Sequence, residues 1–477
     1  MKNRFLLLII SSILILTACG QNGSGDAENE IINEVKELNL DSSFKRSNKT
    51  VTIYVHGYKK GGYKFKNHYG ENNMSSFAYQ LSEFSKIPTM DTYNRDSFTD
   101  IITSVEYYGE KEPSYYTPQD VTDINEVTDQ YSGGVPRYAL IVAKFAKHMM
   151  KETGAKKVNI VSVSMGSLIT RWMIEKNLEN LASEKKIEKW MTAEGVVRGN
   201  YGVTKIDNIG IKWIKDYIES FFEDSAETEH MKYSWIEDNL TPDREVMSSP
   251  YYGDILVGQI SLTDSEKQQA GLKYILIEEG FQPNDGYQLL KDTYFKTIEY
   301  SIQTPSHTLI HTDHIGIEES NATYATITAF LEAKKRVRIT LTDVTVSDVH
   351  ESISPVNKHS EIVFSSSVYS SKAGETINQR VYDGGTLNVY SFKENETKSI
   401  NQVIFDDFVY SDEDELRIKL KGYEIDRSTK YDVVELQTDK KDSLGEVIKG
   451  VELRDGASFS FSAGDWVGVL EVRVLGL

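Results

Sequence analysis

The sequence predicts an α/β domain with a mostly parallel sheet, followed by an antiparallel β-sandwich. Three observations predict it. The stretch Val158 to Arg171 reads VNIVSVSMGSLITR: an apolar run of the buried-strand type passes through Ser164, and Leu168, Ile169, Trp172 and Met173 then repeat at helical spacing. Upstream lie a second strand, Val51 to Val55 (VTIYV), and a long helix, Val135 to Thr153, and this alternation of strand and helix is the pattern of a parallel sheet. From Lys334 to Arg338 (KKRVR) onward the pattern changes to alternating strands such as Val337 to Leu341, Glu361 to Phe364, Thr386 to Tyr390, Leu416 to Leu420 and Trp466 to Val474. Turn-rich polar segments separate them, as in a sandwich.

The N-terminus reads as an export signal. Lys2 and Arg4 precede the apolar run Phe5 to Leu16, too short for a comfortable membrane span, and the run ends in Leu16-Thr17-Ala18-Cys19-Gly20. The LTAC segment resembles the bacterial lipobox, which implies a signal peptide over 1–18, cleavage before Cys19 and lipid attachment to that residue. Cys19 is the single cysteine of the chain. Several acyl chains on one residue exceed the two signals that stable anchoring takes. The expected location is therefore a membrane, held by lipid, with the body on the extracytoplasmic side. Residues 19–47 form the lipidated start and a polar tether, in which Ile31, Ile32, Val35 and Leu38 recur at helical spacing.

Within 48–335 the residues that carry chemistry occur in a particular order. The strand ending at Val55 runs into His56-Gly57-Tyr58, and the strand before Ser164 turns at once into a helix. A serine on such a turn has its hydroxyl exposed, with the next backbone N–H aimed at the same point. The positions two before and two after must be small, and here they are Ser162 and Gly166, so the pattern is S-x-S-x-G where G-x-S-x-G is usual. The backbone N–H groups of Tyr58 and Met165 are the expected oxyanion donors. Leu272 to Gly280 (LKYILIEEG) reads as a strand that places Asp285 in the loop after it, with Asp292, Glu278 and Glu279 as alternative acids. N-D-G is also an ordinary turn sequence. His307 to Ile310 leads to His314, in a loop before a helix from Asn321, with His311 and His307 as competitors. In extended chain His307 and His311 lie roughly 13 Å apart at about 3.3 Å per residue, and no H-E-x-x-H supports a metal site, so no metal is expected.

Together VNIVSVSMGSL, NDG, DHIGI and the HGY segment resemble the bacterial lipase and esterase branch of the α/β-hydrolase family, over about residues 50 to 335. Gly199 to Val203 (GNYGV) resembles the segment after the following strand. The resemblance implies a serine acyl hydrolase of carboxylic esters or lipids that uses no cofactor. Ser164 would be the nucleophile, His314 would take and return its proton, and Asp285 would orient the imidazole. Thioesterases, peptidases and transacylases use the same triad, and a binding protein on an inactive hydrolase scaffold is the alternative outside catalysis.

A formal net charge of −19 disfavours nucleic acid as a partner and strong electrostatic attraction to anionic lipid. Nothing in the sequence indicates an oligomeric state. Residues 201–250 form an excursion that the core fold does not need. In it Ile211, Ile214, Ile218 and Phe221, with Trp213, Tyr217 and Phe222, make an apolar stripe readable either as a lid or as permanent core. In the accessory domain, 336–477, the acidic clusters Asp406-Asp407 and Asp412 to Glu415 read as solvated surface charge rather than a calcium site.

Overall fold

A computed structural model describes residues 50–59, 68–92, 100–210, 212–222, 224–264, 282–299, 307–348, 360–370, 376–380, 388–410, 414–425 and 443–476. The expected signal segment, Cys19, the expected tether and the expected strand Leu272 to Gly280 lie outside these residues. The chain divides into two compact units between Glu332 and Ala333, slightly before the expected boundary at 335/336. No described helix is long and apolar enough to cross a membrane.

The first unit runs β1 (Thr50–Val55), α1 (Ser76–Ser85), β2 (Asp100–Val105), α2 (Pro118–Tyr131), α3 (Gly134–Thr153), β3 (Lys157–Val163), α4 (Met165–Glu175) and β4 (Ile187–Ala193). It continues with α5 (Tyr201–Lys205), α6 (Lys212–Glu219), α7 (Ala226–His230), α8 (Tyr233–Asn239), β5 (Val246–Met247), β6 (Leu256–Leu262), β7 (Thr297–Ile298), β8 (His307–Ile310) and α9 (Asn321–Glu332). Six strands form one sheet in the order β2-β1-β3-β4-β6-β8, all neighbours parallel. Every residue of β1, β2, β4 and β6 is buried, as expected when helices cover both faces. From β1 the chain goes out to the β2 edge and then returns to β3 on the other side, so the strand order reverses between β1 and β3. The C-terminal ends of these two strands open on the crevice where parallel sheets place their ligands. This is the α/β-hydrolase fold.

The sequence pattern did not reveal β6. Its LVGQISL contains Gly258 and Gln259, both of which weaken a strand signal. Gly258 is closely packed: a Cβ there would stand 2.8 Å from Met191 Cε and 2.9 Å from the Phe330 ring, so both side chains would have to shift. The Gln259 side chain is buried because it completes two backbone partners, accepting from Phe295 N at 2.7 Å and donating to its carbonyl at 3.3 Å.

The second unit is a β-sandwich. One antiparallel sheet holds β9 (Lys335–Val346), β13 (Glu396–Val409), β16 (Ser458–Ala463) and β17 (Trp466–Gly476), in the order β13-β9-β17-β16. The other has the order β11-β10-β14-β15, made of β10 (Ser360–Ser370), β11 (Thr376–Arg380), β14 (Glu415–Ile425) and β15 (Ser443–Glu452), with β12 (Tyr390–Phe392) also on β10. Their inner faces share one core in which Ile339, Leu470, Phe364 and Ile418 are fully or almost fully buried. Trp466 packs on Phe364 and Phe461 at centroid distances of 4.7 and 5.0 Å. Strand β12 lies at the end of the expected Thr386 to Tyr390, whose first residues fall outside those described. The acidic pair Asp406-Asp407 is not all surface. Asp406 is buried between Arg336 Nε at 2.8 Å and Arg338 Nη2 at 3.0 Å.

The excursion over 201–250 contributes to the first unit's core. Val203, Ile218, Met231, Ile236 and Met247 are buried in it, while Trp213 and Tyr217 remain 56% and 37% exposed. Ile211 lies outside the described residues. Two buried ionisable groups fasten the excursion. His230 Nδ1 accepts the Val135 N–H at 3.1 Å, at the start of α3, and this contact requires the neutral ring. Burial holds its pKa down from 6.5 to about 4. Asp292 accepts the Tyr233 hydroxyl, and Arg244 Nη1 stands 3.5 Å away. Burial nevertheless lifts its pKa from 3.8 to about 6.

The two groups act oppositely on stability. Below about pH 6.5 the unfolded chain binds the His230 proton first, so that group's contribution is lost as pH falls toward 4. Asp292 holds its proton more tightly when folded, so its contribution is present at low pH and lost as pH rises through about 6. Each amounts to on the order of 3 kcal/mol, and they nearly cancel between pH 4 and 6. Asp292→Asn should therefore make stability fall on acidification over this window, and His230→Gln should make it rise. Urea unfolding at a series of pH values checks both slopes.

Candidate active site

Ser164 stands between β3 and α4 with φ 52° and ψ −127°, a backbone region that a non-glycine residue enters only at a cost. Three backbone hydrogen bonds impose it. The Ser164 N–H donates to Ala193 O at 3.1 Å, and its carbonyl accepts from Ser167 N and Val196 N, each at 3.0 Å. A Cβ at Gly166 would fall 2.3 Å from Val55 O and 2.5 Å from His56 O, and one at Gly57 would fall 2.9 Å from Ser164 Cβ. Gly166 thus lets the first turn of α4 approach the end of β1, and Gly57 lies directly against the serine. Ser162, where glycine is usual, is fully buried. Its hydroxyl accepts from Trp190 Nε1 at 2.9 Å and reaches Met191 O at 3.3 Å.

Tyr58 and Met165, the expected oxyanion donors, follow directly on the two backbones that meet at Gly57 and Ser164. The HG segment is braced from below: the Tyr107 hydroxyl reaches His56 O at 2.7 Å and Gly57 O at 2.9 Å. The His56 ring is structural, stacked on Tyr107 at 4.0 Å with Nε2 3.5 Å from Glu106. Burial lowers its pKa. Burial alone would raise the Glu106 carboxyl, but His56, Lys59 and the Tyr108 N–H outweigh it and hold that group down at about 2.

Asp285 lies in a tight turn and is also the partner of His314. Its Oδ1 accepts from Tyr287 N at 2.9 Å and Gln288 N at 2.8 Å, and Gly286 takes φ 97°. Its Oδ2 is 3.0 Å from His314 Nδ1, and its carbonyl accepts the His314 N–H at 3.1 Å. The N-D-G turn and the contact with His314 are thus compatible in one residue. Among the alternatives, Asp292 is committed to Tyr233 and Arg244, Glu278 and Glu279 lie outside the described residues, and His311 sits 3.5 Å from Thr263 Oγ1. Nothing is described of the His307 side chain. Tyr287 stacks on His314 at 4.7 Å, Phe221 meets Tyr287 at 5.7 Å, and Phe222 meets Tyr58 at 5.8 Å, so the residues just after α6 cover the site.

The sequence reading missed Glu194. It follows β4 directly, is fully buried with φ 42°, and brings Oε2 to 3.1 Å from His314 Nδ1. A lone glutamate between a strand and a glycine reads as solvated. Only its place at the C-terminal end of a parallel strand beside the strand that leads to Ser164 marks it. Burial pushes its carboxyl well above the ordinary range. At His314 burial disfavours the imidazolium, but the facing Glu194 and Asp285 outweigh it and raise the imidazole.

Two clusters of the described residues come close enough together to hold a cation. Asp120, Asp123 and Glu179 already surround the Lys144 ammonium at 2.7, 2.8 and 2.9 Å. Glu194, Asp285 and His314 converge on one ring nitrogen, a place for a proton.

No family model matches this chain, and no curated protein matches it. Among solved structures, it is similar to the mature form of the Bacillus licheniformis lipase BlEst2, at 14% identity and a TM-score of 0.37, covering 59% of this chain and 91% of that one. The propeptide form of that lipase matches at 10% identity and TM-score 0.36, over 89% of this chain and 96% of that one. The phospholipase PlaB from Legionella pneumophila matches at 12% and 0.32, over 79% and 86%.

The packing at the elbow makes a direct prediction. Gly166→Val should prevent accumulation of soluble protein, because its Cβ would overlap two backbone carbonyls. Gly57→Ala presses only on the Ser164 side chain and should fold, yet slow reaction of Ser164 with a fluorophosphonate by roughly 10²-fold. Labelling at the wild-type rate in Gly57→Ala would contradict this reading.

Proposed function

We propose that this chain is a serine hydrolase that cleaves carboxylic esters by way of an acyl-enzyme, with Ser164 as nucleophile, His314 as general base and acid, and Asp285 as the orienting carboxylate. The observation that carries this reading is the strained Ser164 backbone on a strand-to-helix elbow, at the sheet edge that also presents the His314–Asp285 pair. A serine hydroxyl is a weak nucleophile until a base takes its proton. His314 would accept that proton at Nε2, since Nδ1 faces the acids, and return it to the leaving alcohol. The N–H groups of Tyr58 and Met165 would receive the oxyanion, and loss of one such donor costs about 3 to 4 kcal/mol in related chemistry. The aromatic cover from Phe221, Phe222 and Tyr287 favours an apolar acyl group and keeps water from the imidazole. Nothing in this scheme calls for a cofactor, a metal or a nucleic acid.

We also propose that the mature protein begins at a lipidated Cys19 and is held at the extracytoplasmic face of the cell membrane. The feature that supports it is LTACG after a basic start and a short apolar run. The substrate would then be an ester or lipid reachable from that surface.

Ser164→Ala should lower kcat toward p-nitrophenyl esters by about 10⁶-fold, and a fluorophosphonate probe should label Ser164 alone. Labelling of another serine would sink the assignment. A chain-length series of esters and thioesters gives the acyl preference. Cys19→Ser should shift the protein from the membrane to the soluble fraction or leave it unprocessed, and a processed, membrane-bound mutant would refute the anchor.

A further inference from the structure

We infer that Glu194 is a second acid of the site: a protonated carboxyl that holds the His314–Asp285 pair from the β4 side and can replace Asp285 once ionised. This inference rests on the triad reading above. The geometry comes from three elements. Glu194 leaves β4 next to the elbow, where the preceding residue, Ala193, accepts the Ser164 N–H at 3.1 Å. Its own N–H donates to Ile260 O at 2.8 Å, and its carbonyl accepts from Gln288 Nε2, in the same turn as Asp285. These contacts fix a left-handed backbone at φ 42°, unusual for a glutamate, and point its side chain at His314.

The two carboxyl groups are not equivalent. Asp285 has two backbone N–H donors on Oδ1, and the His314 ring nitrogen is in hydrogen-bond geometry with Oδ2. Both oxygens of Glu194 are buried with no backbone N–H on them, and their one potential donor, His314 Nδ1 at 3.1 Å from Oε2, is aligned with Asp285 instead. An ionised carboxylate without donors in a dry pocket is costly, and two carboxylates at one site do not both ionise. Asp285 therefore keeps the charge and Glu194 keeps the proton, which turns it from acceptor into donor. The neighbouring acceptor is the Asp285 carboxylate, within 4.8 Å, and burial moves the Glu194 carboxyl in the direction this requires. The other titratable groups coupled to Glu194 are the phenols of Tyr54 and Tyr287, both raised and neutral. The arrangement has one negative charge, one proton on Glu194 and one on His314 Nδ1. Nothing in it changes during turnover except the proton that His314 Nε2 takes and returns.

Glu194 is thus a positioning residue acting through Asp285 and His314, and this role differs from mere filling in two ways. First, a protonated carboxylic acid should be present in the resting protein at neutral pH. Second, with Asp285 replaced by a neutral amide, the remaining carboxyl can serve the imidazole only after losing its proton. Activity should then recover as pH rises.

Infrared difference spectroscopy of the full-length protein at neutral pH should show a protonated-carboxyl band that disappears in Glu194→Gln, the side chain that mimics the neutral acid. Loss of a lone triad acid costs about 10⁴-fold. In Asp285→Asn the loss should shrink by tenfold or more on going from neutral to alkaline pH, and Asp285→Asn/Glu194→Gln should show no such recovery. No band assignable to Glu194, or an Asp285→Asn loss as large as that of the double variant at every pH, overturns the inference. The spectroscopic result stands apart from catalysis: if the wild type hydrolyses no ester yet shows the band, the triad reading fails and the protonated Glu194 remains. If Glu194→Gln does not accumulate as folded protein, the alkaline recovery of Asp285→Asn decides.

Discussion

Where β1 ends, the carbonyls of Val55 and His56 face the first turn of α4 across a gap with no room for a Cβ at Gly166. That approach follows from the sheet. β1 and β3 are parallel neighbours in a register that sets Val55 beside Ser162, so the chain leaving β3 must turn over the end of β1 within two residues. Ser164 takes up the turn at φ 52°, and Gly57 yields the space its side chain needs. Strain of this kind costs of order 1 to 3 kcal/mol and persists because the surroundings over-determine it. Here these surroundings are a strand and a helix buried almost throughout.

Buried charge in this protein is generally partnered. Arg171, fully buried, donates from Nε to Glu175 at 2.7 Å and from Nη1 to Val197 O at 2.7 Å, tying α4 to the segment that follows Glu194. In the second unit Arg336 and Arg338 enclose Asp406. Such pairs give less net stability than their Coulomb attraction implies, because both ions are desolvated, but removing one partner is expensive. They fix geometry. Against that pattern, the Glu194 carboxyl, buried beside His314 with no backbone donor of its own, is an exception, and exceptions of this sort cluster where chemistry is done.

The excursion serves the site by covering it. Its helices pack into the same core as the sheet, and the residues at the end of α6 bring Phe221 to Tyr287 and Phe222 to Tyr58, the two aromatic neighbours of His314 and Gly57. An apolar roof over an imidazole flanked by carboxyl groups strengthens every electrostatic term beneath it. The same burial makes His230 neutral and Asp292 hard to ionise.

By itself the sequence determined what depends on local pattern. The alternation of strand and helix, the elbow at Ser164, the small residues Ser162 and Gly166, the turn at Asn284-Asp285-Gly286 and the switch to two-residue periodicity all arise from neighbours a few positions apart. Steric and hydrogen-bonding rules act over that range. Tertiary structure decided what depends on neighbours distant in sequence. Strand β6 hides behind Gly258 and Gln259, whose reasons lie on Met191, Phe330 and Phe295. Strand β13 hides in a run as polar as Ser399-Ile400-Asn401-Gln402, where its register shifts. The apolar stripe near α6 did not say which of its residues would enter the core: Ile218 and Phe222 do, while Trp213 and Tyr217 stay exposed. Glu194 looked like any solvated glutamate. Only the meeting of β4, the Asp285 turn and the His314 loop removes water from around it, and a residue's desolvation is a property of the neighbours that the fold gathers around it.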